Sequence, residues 1–287
     1  MAACYRTAVS NSGTDLSNSG ADSGTPGNHI LWLGHASALV AFGDDRILID
    51  PLGRRRAQAA SPYNTILITH SHVDHLNRWT LSKLDKSVKL IVPKGAKPIV
   101  ANMGFAEVLE AEPGDHFRCG GIDVIAVETR HDNGRWKKAD KPICVGYILQ
   151  KNGIVVHHAG DVDMSTYDVF DSIGKDFDID ATMLPIGGML PPWYYAAKKA
   201  KLDRGVHICP ETALHIAERL GATNLVPVHW GTLNLRLFHS GAAPRNKIEE
   251  LAANLGVSEL LRVLSHGEAF ELTGPDLKAP DDAKSRP

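Results

Sequence analysis

The sequence predicts an α/β fold, and its hydrophobic pattern carries that prediction. Short apolar and β-branched runs recur between turn residues, which is typical of strands. Amphipathic helix patterns follow in the second half of the chain, and no short-period repeat or proline-rich linker divides it. The chain has 287 residues and a formal net charge of −2. It is therefore long enough for a large core and is not the broadly basic chain expected of a nucleic-acid binder.

Turn residues separate several of the predicted strands. Gly43-Asp44-Asp45 separates two of them, and Lys151-Asn152-Gly153 predicts a hairpin between two others. The predicted strands are His29–Leu33, Ala38–Phe42, Arg46–Ile49, Thr65–Thr69, Lys89–Val92, Ile122–Thr129, Ile143–Gln150, Ile154–His158, Ile179–Leu184, Asn224–His229 and Glu268–Leu272.

Two helices are predicted from their end signals and their periodicity. Pro210 begins the first, and Gly221 ends it. Asn246 is the expected N-cap of the second, and Gly256 follows its last turn. The residues expected on the buried faces are Ala213, Ile216 and Leu220 in the first helix, and Ile248, Leu251 and Leu255 in the second.

Both ends of the chain are polar. Residues 1–28 are rich in serine, glycine, asparagine and aspartate and are expected to form a flexible leader, and residues 274–287 a flexible tail. The folded domain is expected at residues 29–273. No apolar run reaches the ~18–20 residues of a membrane span. A cytoplasmic location is the default, with a periplasmic or lipid-anchored location as the alternative if Cys4 follows a signal peptide.

The strongest chemical signal is a histidine cluster after the predicted strand at 65–69. The segment reads Thr69-His70-Ser71-His72-Val73-Asp74-His75, in a chain with 14 histidines. Alternation along an extended chain directs His70 and His72 to the same side. A helix is expected to start near Asp74, so the chain turns there. The turn would direct Asp74 and His75 to a second metal position, beyond the one that His70 and His72 face. The spacing predicts ligands for two metal ions.

Three more polar residues lie at the carboxyl ends of predicted strands, where sheet proteins usually place their sites. They are His131, Asp161 and His229. Each alone would be an ordinary loop residue, but together they complete the first cluster. In the predicted arrangement one open site takes His70, His72 and His131, the other takes Asp74, His75 and His229, and Asp161 bridges the two.

This pattern resembles the metallo-β-lactamase superfamily of binuclear metal hydrolases over about residues 29–272. The resemblance implies a four-layer αββα sandwich with the metals at one edge of its two central sheets. It also implies that the seven ligands are His70, His72, Asp74, His75, His131, Asp161 and His229.

Further segments resemble the N-acyl-phosphatidylethanolamine phospholipase D-like and ascorbate-6-phosphate lactonase groups. They are Trp32–Ser37, Ile49–Pro51, Leu184–Gly187, Pro210–Ala213 and His229–Thr232. Two segments depart from the phospholipase pattern. The stretch between Asp50 and Thr65 is short, and residues 132–136 read Asp-Asn-Gly-Arg-Trp rather than a histidine-tryptophan version.

Nitrogen and carboxylate ligands without thiolate suit Zn²⁺, and Mn²⁺ or Fe²⁺ could occupy the same positions. Two such cations lower the pKa of a bridging water and generate hydroxide. The expected reaction is therefore hydrolysis, of a phosphodiester first and of a lactone or amide, including a β-lactam, as the alternative. An iron-dependent redox protein is the third interpretation, and His72 opposes it because diiron flavoprotein relatives carry glutamate there.

The resemblance also implies that Asp50, His35 and His207 lie beside the metal site. Asp50 is expected to orient a ligating imidazole, although it could equally begin a turn before Pro51. Asp74, His207 and His35 are the candidate catalytic residues. His207 would bind the substrate oxyanion or protonate the leaving group, and His35 would act beside the ligands; a structural histidine is the alternative for both.

The segment Gly187–Tyr195 contains glycines, prolines and aromatic residues. It could form an apolar wall of the substrate pocket or a packed connection. The apolar wall would favour a lipid-like or aromatic substrate over a small sugar. The expected partner is a small-molecule or lipid-like substrate. The oligomeric state is left open by the sequence.

Overall fold

The computed structural model describes residues 27–131, 142–163, 167–187, 207–232 and 241–273. Several sequence predictions fall outside these ranges. They are the leader apart from its last two residues, the tail, the segment 132–136 and residues 188–195 of the glycine- and aromatic-containing segment. Among the described residues, no helix is long and apolar enough to cross a membrane.

The strands are short and nearly all carry buried apolar side chains. Their bounds are β1 Asn28–Gly34, β2 Ser37–Phe42, β3 Asp45–Ile49, β4 Thr65–Leu67, β5 Lys89–Pro93, β6 Glu107–Ala111, β7 His116–Cys119, β8 Ile122–Glu128, β9 Val145–Lys151, β10 Ile154–His158, β11 Ala181–Pro185, β12 Leu225–Val228 and β13 Ala269–Glu271.

The helices of the described residues connect or follow these strands. Their bounds are α1 Arg54–Ala59, α2 Arg78–Leu81, α3 Lys97–Val100, α4 Tyr167–Asp176, α5 Pro210–Arg219 and α6 Ala243–Leu255. Short 3₁₀ turns add Ala101–Met103 and Ser258–Leu260.

The strands form two mixed sheets. The first sheet has the order β13-β1-β2-β3-β4-β5-β6, and the second has the order β12-β11-β10-β9-β8-β7. In the first sheet the pairs from β3 to β6 are parallel, and in the second β10, β11 and β12 are parallel. Parallel neighbours end at the same edge of a sheet, so the residues that follow them are brought together.

Two apolar clusters define the layers. The larger lies between the sheets and continues to α4, α5 and α6, with members such as Val40, Ile148 and Phe170. The smaller joins the other face of the first sheet to α1, α2 and α3. Burial of these surfaces is the main favourable term of folding. The expected α/β architecture, two central sheets flanked by helices, is confirmed.

Several element predictions need correction. The helix α2 begins at Arg78 and not near Asp74, where the chain forms a turn. The helix α6 begins at Ala243 after the N-cap Ala242, so Asn246 lies inside the helix and does not cap it. Leu255 is 61% exposed and does not face the core. The prediction for α5 is confirmed, with Ala213, Ile216 and Leu220 buried and Gly221 following in the left-handed conformation.

Candidate metal centre

Strand ends deliver the polar residues to one edge of the two sheets. The first sheet supplies residues that follow β1, β3 and β4, and the second supplies residues that follow β8, β10 and β12. The residues brought together are His35, Asp50, His70, His72, Asp74, His75, His131, Asp161 and His229. The predicted convergence of distant residues is thus present in the structure.

The turn after β4 sets the directions of the side chains between His70 and His75. The amide N–H groups of His75 and Leu76 donate to the carbonyl of His72, at 3.0 and 2.8 Å. This tight turn directs Asp74 and His75 back toward the sheet edge. Asn77 then caps α2 by accepting a hydrogen bond from the Thr80 amide at 2.9 Å.

The first cluster of possible metal ligands consists of His70, His72, His131 and Asp161. One ligand atom from each lies within 4.8 Å of the others, and all four side chains are buried. Nε2 of His131 lies 3.2 Å from Nδ1 of His72. The cluster therefore contains the three imidazoles that the sequence assigned to one site, together with the carboxylate expected to bridge.

The second cluster consists of His35, Asp74, His75 and His229, again with ligand atoms within 4.8 Å. Oδ2 of Asp74 lies 3.0 Å from Nε2 of His35, 3.8 Å from Nε2 of His229 and 4.0 Å from Nε2 of His75. The sequence placed His35 beside the ligands, whereas the structure brings it into the ligand group itself.

Asp161 lies between the two clusters. Its Oδ2 is 3.3 Å from Nε2 of His75 and 3.7 Å from Nε2 of both His70 and His131. Its Oδ1 is 3.3 Å from Nε2 of His229. One buried carboxylate thus faces imidazoles of both clusters, which is the position a bridging ligand requires.

Hydrogen bonds to the outer nitrogens fix which ring nitrogen faces inward. Thr69 donates both its amide and its hydroxyl to Asp50, at 2.8 and 2.6 Å. Nδ1 of His75 donates to the same carboxylate at 2.7 Å, and Nδ1 of His70 donates to the Thr69 hydroxyl at 3.1 Å. In each ring Nδ1 is engaged in a hydrogen bond, so Nε2 is the nitrogen that faces the cluster and is open to a metal ion.

A carboxylate orients the third imidazole in the same way. Nδ1 of His131 lies 3.0 Å from Oδ1 of Asp163, so this ring also presents Nε2 to the cluster. Nε2 of His70 and Nε2 of His75 are buried and make no hydrogen bond among the described residues. Burying such polar atoms unsatisfied is costly, so the donor set fits divalent cations.

The carboxylates are held in their ionised form. Burial alone would raise the pKa of Asp161, but His229, His75 and His207 outweigh it and hold that pKa well below its usual value. Burial likewise opposes ionisation of Asp74, yet the hydrogen bond with His35 and the charge of His75 lower its pKa. Ionised carboxylates beside imidazoles attract a cation.

The imidazoles respond to burial in different ways. Burial lowers the pKa of His70 well below its usual value and that of His35 to about 4. At His75 burial is outweighed by Asp161 and Asp50, so the pKa is raised. A neutral imidazole is the ligating form. A cation bound at Nε2 of His75 would therefore replace the proton that Asp161 and Asp50 favour there.

His207 lies beside the clusters without joining either ligand group. Its Nδ1 is buried 3.6 Å from Oδ2 of Asp161, and its ring stacks on that of His131 with 4.7 Å between centroids. Burial lowers its pKa to about 3. A neutral imidazole here is able to offer a hydrogen bond to a bound substrate.

The backbone at the site is strained at residues other than glycine. His35, Asp50 and His229 have φ angles of 56°, 44° and 59°. Such left-handed conformations cost roughly 1–3 kcal/mol each and persist where the surroundings enforce them. The His229 amide donates to the His35 carbonyl at 2.8 Å, and the His35 amide donates to the Thr232 hydroxyl at 2.7 Å. These two hydrogen bonds join the loop after β1 of the first sheet to the loop after β12 of the second.

Glycine is required next to Asp161. Gly160 has a φ of +65°, and a Cβ atom there would lie 2.8 Å from Cβ of Thr69. The missing side chain lets the loop after β10 approach the loop after β4. This close approach brings Asp161 to the histidines of the first sheet.

Sequence reasoning missed three contributors to the site. Asp163 orients His131, Thr69 links Asp50 to His70, and Thr232 holds His35. Thr69 and Asp163 each stand within two residues of a predicted ligand, so proximity in sequence was the available signal. Thr232 touches a residue 197 positions away, which only the fold reveals.

Comparison with known proteins gives a consistent result. A profile of the Beta-lactamase superfamily domain matches residues 45–230. A UPF0173 metal-dependent hydrolase of Methanoregula boonei is 27% identical over 219 residues, which cover 71% of this chain and 82% of that protein.

Solved structures share the fold. Igni18, a metallo hydrolase of Ignicoccus hospitalis, has a TM-score of 0.61 at 21% identity, covering 86% of this chain and 99% of that one. CmlA, a diiron β-hydroxylase of Streptomyces venezuelae, has a TM-score of 0.67 at 18% identity, covering 86% and 55%. At these identities the likeness shows the fold alone.

Proposed function

The chain belongs to the metallo-β-lactamase superfamily, and we propose that it is a binuclear metal-dependent hydrolase of phosphodiesters. Its His/Asp clusters are able to hold metal, as expected of a metal-dependent hydrolase of this superfamily. The observation that carries the proposal is the buried Asp161 carboxylate, which faces His75 and His229 of one cluster and His70 and His131 of the other.

The proposed ligands divide at this carboxylate. One cation would be held by His70, His72 and His131, the other by Asp74, His75 and His229, and Asp161 would be shared. His35 is a further candidate at the second position because its Nε2 lies in that group. When bound, the two cations supply Lewis-acid activation of water and of the scissile group.

The remaining residues would orient the ligating imidazoles and contact the substrate. Asp50 and Asp163 hold the outer nitrogens of His75 and His131, which keeps the ligand lone pairs aimed at the cations. His207 would donate a hydrogen bond from its neutral imidazole to a substrate oxygen. Passing a proton to the leaving group would first require protonation of the ring, which its lowered pKa opposes. Its position beside Asp161 supports the role of a hydrogen-bond donor.

A phosphodiester matches this arrangement better than a lactone or amide does. Its two non-bridging oxygens offer one oxygen to each cluster, whereas a carbonyl offers a single oxygen. Zn²⁺ suits the nitrogen and carboxylate ligands, with Mn²⁺ or Fe²⁺ as alternatives. The lipid-like substrate suggested by the resemblance remains part of this proposal.

The first experiment is elemental analysis of the purified protein followed by a substrate panel. Metal-stripped and reloaded samples are assayed with bis-p-nitrophenyl phosphate, an aliphatic lactone and nitrocefin. We expect two metal equivalents and turnover of the phosphodiester only after reloading. Turnover of the lactone or nitrocefin without the phosphodiester would replace the proposal with the carbonyl alternative, and an iron-loaded protein with redox activity and no hydrolysis would contradict it.

A second experiment tests the bridge directly with Asp161→Ala. Removing the shared carboxylate should lower bound metal and reduce turnover by roughly 10²-fold or more, because both cations lose a ligand. Asp123→Ala, an exposed carboxylate on β8, is the matched control. Near-normal metal content and activity in Asp161→Ala would show that Asp161 does not bridge.

A further inference from the structure

A surface patch beside the candidate metal centre combines positive charge with exposed apolar side chains. It lies on α1, on α2 and on the turn that contains the histidine motif. We call it the basic-apolar patch, and its residues are Arg54, Arg55, Val73, Arg78, Trp79 and Lys83.

Helix packing forces these side chains outward. The helices α1 and α2 bury Ala57 and Leu81 in the smaller apolar cluster. The Gly53 amide donates to the Thr80 hydroxyl at 3.2 Å, and the Gln58 side chain donates to the Lys83 carbonyl at 3.0 Å. These contacts hold the two short helices side by side. Ala57 and Leu81 pack inward, so the residues of the basic-apolar patch on both helices face the solvent.

The apolar exposure is unusual for this protein. Val73 is 72% exposed and Trp79 is 62% exposed, and Leu255 is the other large apolar side chain with comparable exposure among the described residues. Val73 stands between His72 and Asp74, so the exposed apolar surface adjoins the metal motif. Water-exposed tryptophan and valine in one short segment indicate a partner surface.

The positive charge of this segment indicates that the partner is negatively charged. Residues 51–84 contain five arginines and lysines but one carboxylate, Asp74, although the whole chain has a net charge of −2. Arg54, Arg55 and Arg78 form no ion pair among the residues that the structure describes; Arg54 hydrogen-bonds Gln58 instead. Unpaired cations around an apolar centre fit an anionic partner.

We propose that the basic-apolar patch binds an anionic lipid surface. Tryptophan favours the boundary between lipid headgroups and hydrocarbon, where its ring is buried and its N–H stays hydrated. Arginine and lysine around it would meet lipid phosphates. A second copy of this face would bring arginines against arginines, and a nucleic acid would leave the aliphatic Val73 unused.

Binding in this orientation brings the turn at residues 70–75 to the membrane surface. A substrate drawn from the lipid would reach the metal centre without crossing bulk water. The binding itself is independent of hydrolysis, so its failure and the failure of the proposed function are separate results.

The test uses the full-length protein and vesicles of phosphatidylcholine, with or without phosphatidylglycerol. Co-sedimentation should show binding only to the anionic vesicles, weakening as salt is raised. The emission of Trp79, obtained as the difference between wild type and Trp79→Phe, should shift to shorter wavelength on those vesicles. This spectral readout remains informative if another substitution disturbs folding.

Variants locate the binding surface. Trp79→Ala should bind several-fold more weakly, and Arg55→Glu roughly tenfold or more, because each arginine near an anionic surface contributes about fivefold in affinity. Leu255→Ala and Lys175→Glu are the matched controls, and both should bind like wild type.

Four outcomes would overturn the proposal. They are equal binding to neutral vesicles, no vesicle binding, equal losses in patch and control variants, and binding of a single-stranded oligonucleotide through the patch without vesicle binding. If the second of these outcomes is found, a dimer that Trp79→Ala dissociates would identify a second copy of this chain as the partner.

Discussion

At the residue scale, His207 stands apart from the ligand groups. Its Nδ1 lies 3.6 Å from Oδ2 of Asp161, and its ring stacks on that of His131.

The role of His207 is testable because it touches the clusters without joining them. His207→Ala should reduce turnover by roughly 10²–10³-fold, the usual cost of removing a hydrogen-bond donor to a developing oxyanion, with bound metal almost unchanged. Metal content and kcat are measured on the same preparation. His116→Ala, on the edge strand β7, is the control. Loss of metal in His207→Ala would make His207 a ligand.

The orienting carboxylate Asp163 gives a second test at this scale. Asp163→Asn keeps the shape but weakens the acceptor for Nδ1 of His131. Metal affinity should fall roughly 10–100-fold, as is typical when a partner of a ligating histidine is removed. Titration with a competing chelator measures it, with the exposed Asp168→Asn as control. Unchanged affinity would show that His131 is oriented without Asp163.

Much of the site could be predicted at the residue scale. His70 to His75 form a dense motif, and His131, Asp161 and His229 each follow a strand, so their convergence could be predicted, while their individual roles stay predictions. The sequence pointed to Asp163 only by its nearness to Asp161. Thr232 could not be predicted, because its hydrogen bond to His35 joins residues 197 positions apart.

At the element scale, the sequence could predict buried strands and long amphipathic helices. It could not predict the edge strands or the short helices. The strands β6 and β7 carry many exposed residues, so their apolar signal is weak. Helix α1 reads Arg-Arg-Arg-Ala-Gln-Ala and has no apolar period. Asn246 resembled a helix cap, yet the helix already begins at Ala243, with Pro244 in its first turn.

Contact between α4 and α5 provides a prediction independent of the metal. A Cβ atom at Gly174 would lie 2.6 Å from the carbonyl oxygen of Arg219 and 2.9 Å from Cα of Leu220. Gly174→Ala should therefore lower the free energy of unfolding by about 1–3 kcal/mol, despite the better helix propensity of alanine. Ser172→Ala, exposed in the same helix, should be neutral. Denaturant unfolding compares them, and equal stability would show that the helices can separate slightly.

Strand β10 contains a buried base whose titration affects stability. Burial and the neighbouring His158 lower the pKa of His157 to about 3, and its Nδ1 lies 2.9 Å from the Thr182 hydroxyl. The unfolded chain binds this proton near pH 6.5, so between pH 6.5 and 3 the unfolded state takes up more protons. Stability contributed by a neutral His157 is therefore lost as the pH falls through that window.

Comparison with His157→Gln isolates this effect from the other histidines. Wild type should lose about 2 kcal/mol more than the variant between pH 7 and pH 5. Urea unfolding at both pH values measures the difference. An identical pH dependence in the two proteins would contradict a neutral buried His157.

At the scale of the whole molecule, the sandwich could be predicted from the resemblance, whereas the strand pattern alone indicated only an α/β protein. The metal clusters draw residues from both sheets: His70 and His75 come from the first, and His131 and His229 from the second. Bound cations would therefore link the two halves of the fold.

Metal removal should consequently destabilise the entire molecule. Free metal at about 100 times its Kd stabilises the folded state by ~2.7 kcal/mol. The unfolding temperature should fall on chelation and rise with added metal, measured by calorimetry. Asp161→Ala should show little of this dependence. A stripped protein that unfolds at the same temperature would mean that the cations do not link the sheets.

The left-handed residues beside the metal centre have a consequence for protein engineering. At His35, Asp50 and His229, glycine would relax the backbone but would remove the imidazole or the carboxylate. The relief of strain would therefore be set against the loss of a residue that would hold or orient the metal, and bound metal itself stabilises the fold. Engineering of hardier versions of this chain should leave these three positions unchanged and seek stability elsewhere.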